Sequence, residues 1–326
     1  MASRLTSARR EAAPAADPVI AVIGEALIDL VVSRDGDVAA RPGGGPYNTA
    51  RSIARLGARA VFAGRLSGDG FGRMLRSRLA ADGVSLGVPS PSGLPTTLAV
   101  ADVDEGGAAR YGFYLEGTSA ADLGFAALSA ALPRDVTAVH VGTLGLVMEP
   151  IAASVERLVT TSLPTGTPLM VDPNCRPGAI ADRAAYLRRL WRILARTDVV
   201  KASVEDLAYL FPDVTVEQAA SAVLSHGPTL VLATDGPRPA RAFLPGTELS
   251  VDVPAVAIVD TIGAGDAFGG AFLVKWTRGD MNDPEAIRGA LAFAAEVAAR
   301  TCARPGADPP HLAELGGDPQ GNILPE

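Results

Sequence analysis

Short apolar runs recur along the chain with helical stretches between them. Pro18–Ile23 (PVIAVI) ends at Gly24 and reads as a buried first strand. Runs of the same kind follow at Ala60–Phe62, Val136–Val141, Leu169–Val171, Val199–Val200 and Leu230–Ala233, each succeeded within a few residues by a helical pattern. Strands without polar alternation are buried on both faces, so the pattern predicts an α/β fold: a mostly parallel sheet with helices on both sides. Two segments break this rhythm. Leu27–Ala40 and Thr97–Glu116 alternate apolar and polar residues around Asp-Gly or Gly-Gly turns, which is the grammar of hairpins. Two arrangements fit them, a small antiparallel flap across the main sheet or edge strands of that sheet.

Composition narrows the partners. The chain has 326 residues, 48% of them hydrophobic, and no uninterrupted apolar run of membrane length. A formal net charge of −7 argues against a nucleic-acid surface, which needs clustered cations. Of 29 basic residues only Lys201 and Lys275 are lysine. Lysine is therefore not expected at a phosphate, leaving backbone amides, arginine or metal for that task. The two cysteines and three histidines are too few and too scattered for a disulfide framework or a structural zinc site, and a cytoplasmic location is expected. Residues 1–16 lack an apolar core and read as a flexible leader, while 311–326 read as a flexible tail.

The densest chemical signal is Asp260-Thr-Ile-Gly-Ala-Gly-Asp266-Ala-Phe268, a small-residue turn that opens an apolar helix. Free amides at such a helix start bind anions, and Asp266 beside them could take a proton from an attacking hydroxyl. Ordinary capping chemistry would use the same residues. A second glycine-rich turn, Arg41-Pro-Gly-Gly-Gly-Pro-Tyr-Asn48, runs into an amphipathic helix shortly after Asp29. It serves equally as a turn device or as one side of a polyol site. Asp172-Pro-Asn-Cys-Arg176 follows a predicted strand at the edge where open α/β sheets bind ligands. Ser203-Val-Glu-Asp206 has the spacing of a capping box. Thr234-Asp-Gly236 closes a strand in a polar turn.

Taken in order over about residues 18–310, these motifs resemble those of the ribokinase-like sugar kinases, the PfkB family, and bacterial fructokinases in particular. The resemblance implies a three-layer α/β/α domain over 17–310, with a β-strand lid from segments 27–41 and 95–117. It also implies roles. Asp29, Gly43, Gly44 and Asn48 would bind the sugar, and Asp266 would be the catalytic base. The amides of Gly263, Ala264, Gly265 and Asp266, with Arg176, would stabilise the transferred phosphoryl group. Ser203, Asp206, Thr234, Gly236 and Gly306 would contact the nucleotide, with Asp206 reaching Mg2+ through water. Asp260 and the backbone of Ile262 would hold a monovalent cation such as K+. Ser67 and Tyr47 depart from the family pattern, and Tyr47 is expected to reshape the sugar pocket. The activity implied is transfer of the ATP γ-phosphoryl group to a sugar hydroxyl, with fructose the leading acceptor. Competing readings are a 2-keto-3-deoxygluconate kinase, a ribokinase, a nucleoside kinase, or a sugar- or nucleotide-sensing protein on the same fold. Expected partners are sugar and ATP and a second copy in a homodimer, with no nucleic acid and no membrane.

Overall fold

The computed structural model describes residues 17–33, 36–103 and 109–316. The leader, the Gly-Gly turn, Asp35 of the Asp-Gly turn and the end of the tail lie outside these residues. The first half contains β1 (Val19–Ile23), β2 (Leu27–Val32), β3 (Val38–Gly43), α1 (Gly45–Arg55), β4 (Arg59–Ala63), α2 (Gly70–Ala81), β5 (Ser85–Leu86), β6 (Leu98–Val103), β7 (Ala109–Tyr114), α3 (Phe125–Ala131) and β8 (Ala138–Gly142). The second half adds α4 (Ile151–Arg157), β9 (Leu169–Asp172), α5 (Arg183–Leu194), β10 (Val199–Ser203), α6 (Val204–Leu210), α7 (Val216–Ser225), β11 (Leu230–Asp235), β12 (Arg238–Leu244), β13 (Thr247–Val251), α8 (Ala264–Arg278) and α9 (Pro284–Cys302).

Among the described residues, nine strands form the main sheet in the order β13-β12-β11-β10-β9-β8-β1-β4-β5. It is parallel from β11 to β5. Successive residues of β1 explain why: Ile20 and Val22 pack into the core under α1, α2, α8 and α9, whereas Ala21 and Ile23 face the core under α3 to α7. Both faces are dry, and each fully buried Phe or Leu, such as Phe272 and Leu273 of α8, contributes about 1.5–3 kcal/mol. The β12–β13 hairpin was not expected from the sequence. Pro239 disguises it, because proline cannot donate to a ladder. Its position is tolerated where the β11–β12 register shifts between Ala233 and Asp235.

The two alternating segments form a separate four-stranded sheet, β3-β2-β6-β7, which excludes the edge-strand arrangement. The expectation of an antiparallel flap needs correction. Each hairpin places its first strand in the middle, so β2 and β6 pair in parallel and only the outer pairs are antiparallel. Asp29 and Val31 stand opposite Ala99 and Ala101, which puts all four on one face of this sheet.

Residues near the carboxyl end of the chain fasten to α1. Arg51 and Arg55 share Asp82 at 2.6 and 2.8 Å, Arg51 donates to the Ala307 carbonyl, and Arg55 donates to Asp308. The first residues of the expected tail are also anchored. Glu314 accepts from the His311 amide and pairs with Arg304, and Leu315 is buried.

Candidate active site

The strand order reverses around β1, and the carboxyl ends of β1, β8, β9 and β10 deliver side chains to one crevice, as expected at such a switch point. Two cavities open there, of about 600 Å³ and 520 Å³. The first lies between the main sheet and the small one and is lined by Asp29, Val31, Ala99, Ala101 and Phe113 from the small sheet. Gly44, Gly45, Asn48, Arg176, Gly263 and Asp266 complete it. The second is lined by Ser203, Asp206, Thr234, Gly236, Ala264, Phe268 and the apolar stretch Val253–Val256. The two cavities meet at Asn174, Lys201, Thr261 and Gly265.

The turn before α8 has the form its glycines suggest. Gly263 is the N-cap with φ 76°, a left-handed conformation natural to glycine, and a Cβ there would stand 2.5 Å from the Ala307 Cβ. The first helical bond of this end runs from the Ala267 amide to the Gly263 carbonyl, so the amides of Gly265 and Asp266 precede it and are available to an anion. Asp266 accepts from Asn48 Nδ2 at 2.9 Å, and Thr49 Oγ1 donates to its carbonyl. That pair joins α1 to α8 across 218 positions of sequence. A positive helix end alone would favour the ionised carboxylate, yet burial prevails and pushes Asp266 up to about 6, opposed by the Asn48 hydrogen bond and the Lys201 charge. Burial also pushes Asp29 up to about 6, with Arg176 pulling the other way.

The glycines of the first turn divide their work. A Cβ on Gly43 would stand 2.0 Å from Asp29 Oδ2, so Gly43 makes room for that carboxylate without lining the cavity. Gly44 has φ 107°, and a Cβ on Gly45 would meet Thr143 Oγ1 at 2.5 Å and Asp266 Oδ1 at 3.2 Å. Tyr47, expected in the pocket, is instead fully buried against Phe62, because α1 turns it into the core.

Ser203 and Asp206 form the capping box in full, and Asp206 Oδ1 also accepts from the Cys175 amide at 2.7 Å. Asp206 thereby fixes the Asp172–Arg176 turn while lining the second cavity. Gly306 does not line that cavity; its amide donates to Asp260 Oδ2 at 2.9 Å. Asp260 Oδ1 accepts from the Ile262 amide at 3.0 Å. Among the described residues no cluster of three or more His, Cys, Asp or Glu side chains could hold a metal ion by itself.

Two residues that the sequence reading passed over prove central to the geometry. Lys201, set aside with the scarce lysines, is buried at the junction of the cavities with Nζ 2.9 Å from Asp172 Oδ2. Burial alone would lower its pKa, but Asp172, Asp206 and Asp266 outweigh it and hold the ammonium above its ordinary range. A Cβ on Gly265 would lie 2.9 Å from that nitrogen, so the lysine rests on the amide turn itself. Only the register reveals it: β10 pairs in parallel with β9, Val199 opposite Met170 and Val200 opposite Val171, which carries Lys201 next to Asp172. The second residue is Glu25, fully buried, whose two oxygens accept from the Gly45 and Gly145 amides, both at 3.1 Å. Burial pushes it up to about 8 against those amides.

An anion-binding turn, a neighbouring carboxylate and two adjoining cavities are the parts of a phosphoryl-transfer site. Comparison with known proteins agrees. A family model described as pfkB family carbohydrate kinase matches residues 18–313. A fructokinase of Rhizobium leguminosarum bv. trifolii is 33% identical over 265 residues, 79% of each chain. The fructokinase of Vibrio cholerae O395, crystallised with fructose, ADP and calcium ion, superposes with a TM-score of 0.78 at 26% identity, covering 89% of this chain and 94% of that one. A double mutant of that enzyme, with fructose, ADP and potassium ion, matches at the same TM-score and identity, over the same shares of both chains. With nearly the whole folded chain inside the family match and its signature residues gathered around one crevice, the protein belongs to the pfkB family and is a carbohydrate kinase.

Proposed function

We propose that the chain is an ATP-dependent fructokinase, with the sugar in the cavity under the small sheet and the nucleotide in the adjoining one. The reading is carried by one observation: the cavities meet at the start of α8, where Asp266 faces the first and Lys201 and Gly265 border both. Asp29 and Asn48 offer polar contacts for hydroxyls, while Val31, Ala101 and Phe113 suit the apolar face of a sugar ring. Asp266 accepts the proton of the attacking hydroxyl. The Gly265 and Asp266 amides and Lys201 hold the negative charge of the phosphoryl group in transit, the expected Ala264 amide being already bonded to the Thr261 carbonyl, and Arg176, exposed at the cavity wall, supplies a second cation. Such chemistry asks mainly for positioning and charge stabilisation.

Magnesium fits as a companion of the nucleotide. The buried Oδ1 of Asp172, which has no hydrogen-bond partner, and the Asp206 carboxylate, which lines the second cavity, are acceptors close enough to act on Lys201, and Mg2+ characteristically keeps waters and phosphate oxygens with only one or two carboxylates. When bound, it would neutralise phosphate charge. The small sheet would act as a lid, and its surface residues Val38 and Tyr114 offer a place for a second copy in a homodimer. Among the described residues no helix is long and apolar enough to cross a membrane.

The test is coupled ADP release over fructose, ribose, 2-keto-3-deoxygluconate, adenosine and fructose 6-phosphate. Fructose should give the highest kcat/KM. A higher value for another acceptor would move the assignment to that kinase, and binding of sugar and ATP without turnover would favour the sensing role.

A further inference from the structure

Arg41 leaves strand β3 of the small sheet and reaches the loop that precedes α8. Its Nη1 lies 3.5 Å from Asp260 Oδ2. The hydrogen bonds of that carboxylate come from backbone amides. Oδ1 accepts from the Ile262 amide and Oδ2 from the Gly306 amide, while the Val259 and Asp260 amides donate to the Cys302 carbonyl. Asp260 therefore ties the phosphate turn to the carboxyl end of α9, and the guanidinium meets its negative charge.

The family resemblance puts a monovalent cation on Asp260 and Ile262, and a Vibrio cholerae fructokinase structure contains potassium. The residues of this chain do not fit that ion. Each Asp260 oxygen has one lone pair committed to an amide, and the Arg41 guanidinium 3.5 Å away already meets the carboxylate's charge and would repel a second cation. Arginine is charged at every working pH, and its charge is supplied by the chain with no binding equilibrium. We propose that Arg41 takes the place of a monovalent cation at Asp260, so that the turn from Gly263 to Asp266 holds its working shape without potassium. The inference rests on the kinase reading, because it concerns the loop that would carry the phosphoryl group.

Two measurements test it on the full chain: thermal unfolding, and coupled ADP release with fructose, each in matched potassium, sodium and choline chloride. The wild type should melt and turn over alike in all three salts. Arg41→Ala and Arg41→Gln should each gain a midpoint that rises in potassium alone, since an ion that binds only the folded form raises stability. Their kcat/KM should rise about fivefold or more with potassium, the range typical of coupled sites. A potassium-specific rise in the wild-type midpoint would overturn the proposal, as would variants whose melting ignores potassium. If fructose is not phosphorylated in any salt, the assignment of fructose as acceptor falls, and the melting curves still decide the role of Arg41.

Discussion

Replacing Lys201 by methionine keeps the length and apolar stem of the side chain while removing the charge between the two cavities. Two consequences separate cleanly. At 2.9 Å and an effective dielectric near 20, the attraction of Lys201 for Asp172 is about 6 kcal/mol, much of it offset by the cost of burying both groups. Removing one partner leaves the other charge stranded, which costs about 3–5 kcal/mol of stability. For catalysis, loss of a preorganised charge at the transferring group corresponds to about 10²–10³ in kcat. Adding Asp172→Asn removes the stranded carboxylate, so the double variant should recover most of the stability without recovering turnover. Urea melts followed by circular dichroism, with ADP release measured on the same samples, read both quantities. If the double variant regained wild-type kcat, Lys201 would be only a counter-ion to Asp172, and its place in phosphoryl transfer would be lost.

Asp266→Asn should retain fructose binding by calorimetry yet lose about 10²–10⁴ in kcat, the usual contribution of a positioned base; near-normal turnover would remove the base. Because Asp266 and Asp29 are both held near 6 and the base must be ionised, kcat/KM of the wild type should rise with pH through about 6 and then level off. Glu25 carries a raised pKa of about 8, so the folded state binds more protons than the unfolded one between roughly its ordinary 4.5 and 8. Stability should therefore fall as pH rises through that window, by up to about 1.4 kcal/mol per unit, and Glu25→Gln should flatten the slope. Hydrogen exchange in β2, β3, β6 and β7 should slow when sugar and nucleotide are both present; unchanged exchange would end the lid interpretation.

Much of the fold was legible because the parallel strands are short and apolar on both faces, a pattern few other structures produce. The turn at Gly263 was legible for a related reason: small residues before an apolar helix leave little choice of backbone. What escaped the sequence depended on tertiary register. Lys201 looked unavailable until strand pairing set it beside Asp172, 29 residues away. Glu25 has no mark in the sequence, because its role comes from amides of two distant turns that donate to its oxygens. Tyr47 misled in the opposite direction, since the helical phase of α1 decides whether a residue in that turn faces the cavity or the core. The β12–β13 hairpin was hidden by a proline that only a register shift can accommodate.

The tie between α1 and the carboxyl end of the chain bears on how the enzyme is made. Arg51 and Arg55 lie near the start of the chain, whereas Ala307, Asp308 and Pro309 are among the last described residues to leave the ribosome. Asn48 likewise waits for Asp266. Amino-terminal strands and helices can collapse early during synthesis, but the contacts that complete the site close very long loops and form last. Until residues 307–309 have been made and have folded back on α1, the pocket lacks the contacts that complete it.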